Sequence, residues 1–286
     1  MSYMSQHRRP VVLGAFFFMT IMIWIVVWHS SRTALTLTVL DVGQGDALLI
    51  QYAGKQILID GGKSGAVLSG LGKSMPFWDR SLDVVIATHP DADHIGGLPE
   101  VLARYDVGMV IESGNVSDTA VYKEFENDID AEWATHVIGR SGTIVRLGDD
   151  AYLEILFPDR TSEEVAQWES NMASLVVRLV HGTSVAILTG DAPDDVEDYL
   201  VGVYGNALVA DVLKVGHHGS KTSTSPAFLA SVLPAYVAIS VGCDNTYGHP
   251  SADVVSSLKS VGAIVSNTCE EGTIVYESEG KGFVRK

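Results

Sequence analysis

From Ala34 to the C-terminus, short β-prone runs alternate with amphipathic helical ones, whereas the start of the chain follows neither pattern. Ala34–Leu40 alternates, with Leu35, Leu37 and Val39 on one face and Thr36 and Thr38 on the other, the period-2 signature of a half-buried strand. Gly43-Gln44-Gly45-Asp46 predicts a tight turn into a strand at Ala47–Tyr52, and Ala53-Gly54-Lys55 a hairpin connection into Gln56–Ile59. Leu82–Thr88 is an apolar strand, and after Gly96-Gly97 the pattern predicts a helix over Leu98–Tyr105. Val107–Asp159 mixes strands with a helix around Thr119–Ile129. A second hairpin, Ser174–Val180 and Ser184–Leu188 across Gly182, precedes an acidic-faced helix at Ala192–Tyr204. A strand at Val209–Val215, a helix near Pro226–Val232, a strand at Tyr236–Val241, a helix at Ala252–Val261 and two short strands complete the chain. Strand groups thus alternate with helices in two roughly similar halves, without short-period repeats or low-complexity segments.

The N-terminus is different. Val11–Trp28 carries no charge and follows His7, Arg8 and Arg9. As a helix it would rise about 27 Å, close to the hydrocarbon thickness of a bilayer. The arginines before it predict a cytoplasmic N-terminus and an extracytoplasmic remainder. A cleaved signal peptide, and so a secreted protein, is the alternative, although His29-Ser30-Ser31-Arg32-Thr33-Ala34-Leu35 offers no clean cleavage site. This reading divides the chain into an anchor or signal segment, 1–32, and one catalytic-sized domain, 33–286.

Composition narrows the picture. At 286 residues and 47% hydrophobic, the chain can build a large core. A formal charge of −16 argues against a broad basic nucleic-acid footprint. It does not exclude a nucleic-acid substrate, because bound divalent metals offset negative potential locally. Cys243 and Cys269 are too few for a disulfide framework or a cysteine-built zinc site. One disulfide between them and two buried thiols both stay open.

The chemistry-bearing residues follow the apolar strands. Asp60 ends one; His89, Asp91, Asp93 and His94 end the next, within Thr88–Gly97 (THPDADHIGG); Asp191 and then His217-His218 end two more. Imidazole and carboxylate without thiolate suit zinc, manganese or iron, and four such groups in six residues mark a metal loop. No Ser-His-Asp or Cys-His arrangement competes, and Gly43–Asp46 has neither the spacing of a phosphate loop nor a helix after it.

His89-Pro90-Asp91-Ala92-Asp93-His94 resembles the HxHxDH signature of the metallo-β-lactamase superfamily, with aspartate in place of the second histidine. LDVGQGDA and LIDGG before it, and LTGD, LKVGHHGS and YGHP after it, resemble the metallo-β-lactamase-like domain of ComEC-type DNA-uptake competence proteins, over about Leu35 to Val275. The resemblance implies an α+β fold of αββα type, a four-layer sandwich with metals at the shared edge of two sheets, here preceded by one N-terminal hydrophobic helix. It implies that Asp60 orients the metal loop from behind, that His89 and Asp91 serve one metal, and that Asp93 and His94 serve a second. Asp191 would bridge both, and His217 rather than His218 would complete the second site. His218 and Lys214 would then lie near the substrate, with Asp93 and His249 among the catalytic residues. His249, in Asn245-Thr246-Tyr247-Gly248-His249-Pro250, would contact the scissile phosphate or act as general acid. The pattern departs at the first site's third histidine. Only His136 and His181 lie between His94 and Asp191, neither in a glycine-rich loop, and Asn171-Met172-Ala173-Ser174 takes the expected place.

The expected activity is a metal-dependent hydrolase with one or two divalent ions, zinc or manganese, acting as a phosphodiesterase or DNase. DNA or another phosphodiester is the expected substrate, and any DNA-uptake channel would be a separate protein, since one hydrophobic helix cannot form one. The alternatives are a small-molecule hydrolase of the same fold, on a nucleotide, ester or lactam, and a non-catalytic module with a degraded site.

Overall fold

The computed structural model describes residues 8–30, 34–131 and 134–286. It divides into two units, Met1–Ala34 and Leu35–Lys286.

In the first unit Arg8–Ser30 forms one helix. Its apolar side chains, Phe16, Phe17, Phe18 and Trp24 among them, are exposed. The expectation of a membrane-crossing helix is not met: among the described residues no helix is long and apolar enough to cross a membrane. His7 and the expected boundary at Arg32 and Thr33 lie outside the described residues.

The second unit is built on two large sheets. Its strands in chain order are β1 (Leu35–Val39), β2 (Leu48–Tyr52), β3 (Lys55–Ile59), β4 (Ser81–Leu82), β5 (Val84–Ala87), β6 (Asp106–Val107), β7 (Met109–Glu112), β8 (Thr135–Ile138) and β9 (Ile144–Arg146), followed by β10 (Ala151–Phe157), β11 (Val176–His181), β12 (Ser184–Leu188), β13 (Val212–Lys214), β14 (Tyr236–Ile239), β15 (Ile264–Asn267), β16 (Ile274–Ser278) and β17 (Phe283–Arg285). The first sheet runs β17-β16-β1-β2-β3-β5-β7-β8 and the second β15-β14-β13-β12-β11-β10-β9, with β4 and β6 as a separate small pair. Strand alternation decides which side chains meet between the sheets. Leu35, Leu37, Val39, Ile57 and Ile59 of the first sheet pack there against Leu153, Ile155, Val177, Leu179 and Leu188 of the second.

Helices cover both outer faces. Ala66–Ser74, Leu98–Leu102 and Ala120–Ala131 bury Val67, Leu71, Leu98, Val101 and Phe125 against the first sheet. Asp194–Tyr204, Pro226–Val232 and Ala252–Ser260 bury Val196, Leu200, Phe228, Val232 and Leu258 against the second. Helix, sheet, sheet, helix is the αββα order expected. Where the pattern gives two short closing strands the structure has three, β15, β16 and β17, with the Thr268–Glu271 helix between the first two.

The two cysteines form a disulfide, Cys243–Cys269, tying the loop after β14 to that helix. Closing a loop of this length stabilises by about 3–4 kcal/mol. The alternative of two buried thiols is thereby replaced.

Candidate metal centre

Parallel strands bring their C-terminal ends to one edge of the sandwich, where loops on a rigid support gather chemistry. From the first sheet β3 delivers Asp60 and β5 the Thr88–Gly97 loop; from the second, β12 delivers Asp191, β13 the histidine pair and β14 the loop to His249. The turn at Gly43–Asp46 closes over them. Asp46 N donates to Asp93 O (3.2 Å) and Ser240 Oγ to Gly45 O (2.8 Å). A Cβ on Gly45 would stand 2.0 Å from the Asp93 carbonyl, and its φ is +122°, so only glycine lets the two loops meet.

Three buried imidazoles are oriented alike. Thr88 Oγ1 donates to Asp60 Oδ2 (2.7 Å), which leaves the Thr88 hydroxyl oxygen to accept from His89 Nδ1 (3.0 Å). His94 Nδ1 meets Asp60 Oδ2 at 2.7 Å, and His218 Nδ1 meets the Ser240 carbonyl at 2.9 Å. With a proton placed on each Nδ1 by its partner, each Nε2 presents a lone pair inward. All three Nε2 atoms, together with Asp191 Oδ1, are buried without a hydrogen-bond partner. Asp191 lies between them, Oδ1 at 3.2 Å from His94 Nε2 and Oδ2 at 3.5 Å from His218 Nε2. Asp93 Oδ2 is 3.3 Å from His218 Nε2, and Asp91 Oδ2 is 3.8 Å from His89 Nε2 on the more exposed rim. Two overlapping donor sets result: His89, His94 and Asp191; and Asp93, His94 and His218, each with its ligand atoms within 4.8 Å of one another. Buried, unpartnered nitrogen and carboxylate donors fit a divalent metal and little else.

Of the histidine pair, the structure brings His218 rather than the expected His217 into the buried cluster. His218 is the buried one, and His217 stands at the rim, its Nε2 4.0 Å from Asp191 and its Nδ1 3.4 Å from Asn171 Nδ2. Both residues have left-handed backbones, φ +46° and +53°, which costs about 1–2 kcal/mol per residue. That turn swings the second side chain inward, and Gly219 then passes under Pro250, where a Cβ would come within 2.7 Å. Lys214 is not beside an open substrate site either. It is buried and paired with Asp46, because its β13 position points it beneath the centre. His249 sits at the rim with its ring edge-on to His217, centroids 5.6 Å apart. His136 pairs with Glu112 and His181 with Ser278, so neither supplies the missing histidine. Ser174 lies there instead, its Oγ 3.3 Å from His89 Nδ1 and accepting from Asp191 N.

Asp46 is the residue that pattern reading missed. It is fully buried, and its Oδ1 lies 3.4 Å from His218 Nδ1. An aspartate directly after Gly43-Gln44-Gly45 reads as a turn residue until its cross-sheet partners are known.

Charge at the centre is tightly coupled. Burial penalises ionised Asp191, but His218 and His94 outweigh it and hold its pKa well below the usual range. Burial likewise opposes the imidazolium of His94, yet Asp191 and Asp60 raise its pKa well above the ordinary value. His218 is pushed up to about 9 against burial, by the carboxylates of Asp191, Asp46 and Asp93 around it. Burial and neighbouring His94 lower His89 to about 4, leaving it neutral near pH 7.

A sign follows for stability. A histidine raised to about 9 stabilises the metal-free fold fully below its unfolded pKa of about 6.5, and that contribution is lost as pH rises to about 9. The loss is on the order of 3 kcal/mol for His218. A metal competes with the proton for the same Nε2, so the loaded protein should gain stability over that range. Glu197 and Glu112, raised by burial to about 7 and about 8, weaken both forms alike as pH rises. Melting temperatures from pH 6 to 9, with chelator and with Mn²⁺, are expected to diverge as pH rises; parallel curves would remove the histidines from metal binding.

The profile of the metallo-β-lactamase superfamily matches residues 40–242. The chain belongs to this superfamily. Among curated relatives, it is 31% identical to competence protein ComA of Neisseria gonorrhoeae over 250 residues, covering 87% of this chain and 33% of that protein. It is 30% identical to ComE operon protein 3 of Bacillus subtilis (strain 168) over 281 residues, 92% of this chain and 35% of that one. The chain therefore spans about a third of the length of these relatives. Among solved structures, the metallo-β-lactamase fold protein YhfI of Bacillus subtilis superposes with a TM-score of 0.56 at 15% identity, over 86% of this chain and 99% of that one. CmlA, a diiron β-hydroxylase from Streptomyces venezuelae, gives 0.54 at 13% identity, over 88% and 54%. These two likenesses show the fold. The superfamily is built around divalent metals, and the His/Asp cluster is this chain's candidate for them.

Proposed function

We propose that this superfamily member is a metal-dependent phosphodiesterase acting on DNA, working outside the cytoplasm with its Arg8–Ser30 helix laid against a membrane surface rather than across it. The observation that carries the hydrolase reading is the convergence of three unpartnered Nε2 atoms on Asp191. His89, His94, His218, Asp93 and Asp191 would hold zinc or manganese, with Asp91 at the rim. Such ions supply Lewis acidity toward a phosphoryl oxygen and make a water acidic enough to attack near neutral pH.

The chain's own residues do the rest. Asp60 and Thr88 hold His89 and His94 in the tautomer that leaves Nε2 free. The carboxylates of buried Asp191 and half-buried Asp93 would balance the charge of the bound cations. His249, whose pKa burial and His217 and His218 lower, is neutral near pH 7 and suits a hydrogen bond to a phosphate oxygen better than proton donation. DNA as substrate is supported by the competence proteins among the relatives. The disulfide suits an oxidising compartment, and the exposed apolar helix suits a bilayer surface.

Full-length protein is expected to pellet with membranes through a high-salt wash and to cleave single-stranded DNA with Mn²⁺. Recovery wholly in the supernatant would remove the tether. No cleavage of any phosphodiester would remove the hydrolase.

A further inference from the structure

Beside the metal centre, the loop after β14 displays an aromatic ring that nothing described so far uses. Tyr247 is 68% exposed, and its ring stacks nearly parallel to His249, at 12° and 5.9 Å between centroids. His249 in turn stands edge-on to His217, 5.6 Å away, and His217 faces Asp191. Tyr247 is thus two ring steps from the rim of the centre.

The loop is built to hold that ring still. Asn245 Nδ2 donates to the carbonyls of Gly242 (2.7 Å) and His249 (2.8 Å), and its Oδ1 accepts from His249 N (3.0 Å). The Cys243–Cys269 disulfide fastens the loop's start to the Thr268–Glu271 helix. A large apolar side chain in water on a rigid loop stabilises nothing by itself. Its ordering is already met by the loop, so a ligand that stacks on it loses little further entropy.

We infer that Tyr247 is a stacking platform for an unpaired nucleobase of the strand whose phosphodiester lies at the metal centre. The inference rests on the phosphodiesterase reading and narrows its substrate to single-stranded nucleic acid carrying bases. The two lysines that flank the histidine pair in sequence are already occupied: Lys214 is paired with Asp46, and Lys221 with Asp253 at 3.2 Å. A chain of charge −16 gains little from phosphate contacts. Stacking is the alternative source of affinity, independent of charge and tolerant of base identity. The face of Tyr247 away from His249 is the one a base, about one or two nucleotides from the scissile phosphate, would cover.

The test compares binding and cleavage in the full-length protein. With a fluorescein-labelled phosphorothioate oligothymidylate in Mn²⁺, Tyr247→Ala is expected to weaken binding about tenfold, and Tyr247→Phe to leave it near wild type. An abasic strand of the same length is expected to bind wild type and Tyr247→Ala equally. On cleavable oligothymidylate, the alanine variant should raise KM about tenfold with kcat within about twofold. Unchanged oligothymidylate binding, or an equal loss on the abasic strand, overturns the platform. Tyr247-dependent binding by a wild-type protein that cleaves no strand would overturn the phosphodiesterase reading and leave the platform standing.

Discussion

Replacing Asp191 by alanine is expected to abolish metal retention and to lower phosphodiester hydrolysis on the order of 10³-fold, the largest single effect in the molecule. Its two oxygens face different histidines, Oδ1 toward His94 and Oδ2 toward His218, so no other carboxylate can substitute for it. Removing it also leaves His94 and His218 buried without the anion that raises them, and breaking such a pair costs about 3–5 kcal/mol in a metal-free protein. Asp191→Asn keeps the shape and removes the charge, and so separates the two effects. Metal content by mass spectrometry of both variants, beside their turnover on single-stranded DNA, checks the expectation. Wild-type metal content and turnover in Asp191→Asn would show that the cluster does not carry the chemistry.

The second large effect separates the histidine pair. His218→Ala is expected to lose bound metal and on the order of 10²–10³ in turnover, because its Nε2 is one of the three unpartnered inward nitrogens. His217→Ala is expected to keep its metal and lose about tenfold in turnover, since its ring stands at the rim beside Asn171 and His249. Both positions have left-handed backbone, so alanine at each meets a similar conformational penalty, but His218 is also buried and hydrogen-bonded, so the melting temperature of each variant is read beside its metal content to separate unfolding from metal loss. Metal loss in the His217 variant with retention in the His218 variant would restore the order expected from the motif.

Much of this fold is visible in local pattern. The alternation in Leu35–Val39, the hairpin across Ala53-Gly54 and the helices at Pro226–Val232 and Ala252–Ser260 lie where periodicity and turn residues put them. Short apolar strands and helices each have a period that two or three residues reveal. The closing strands were counted as two rather than three because each is brief, and Ile264–Asn267 pairs with a parallel neighbour rather than across a hairpin turn. The polar cluster was likewise legible: an acid or histidine directly after an apolar strand, several times over, marks strand ends that can converge.

Other features depended on contacts that spacing does not encode. Lys214 and Asp46 are 168 residues apart, and only the packing of one sheet on the other makes their pair buried and turns a candidate substrate contact into a support. The disulfide required Cys243 and Cys269 to meet across a loop and a helix.

By itself the sequence determined the alternating strands and helices, the metal-type donor set at strand ends and the acidic balance, because each is a property of neighbouring residues. Tertiary structure alone decided that His218 rather than His217 is buried beside Asp191, that Ser174 is the residue of the Asn171–Ser174 stretch whose hydroxyl meets His89 and that Tyr247 is held beside the centre. The reason lies in the backbone. Two successive left-handed residues at 217 and 218 redirect their side chains by an amount no periodicity predicts, and the left-handed turn persists because the surrounding loops close on it.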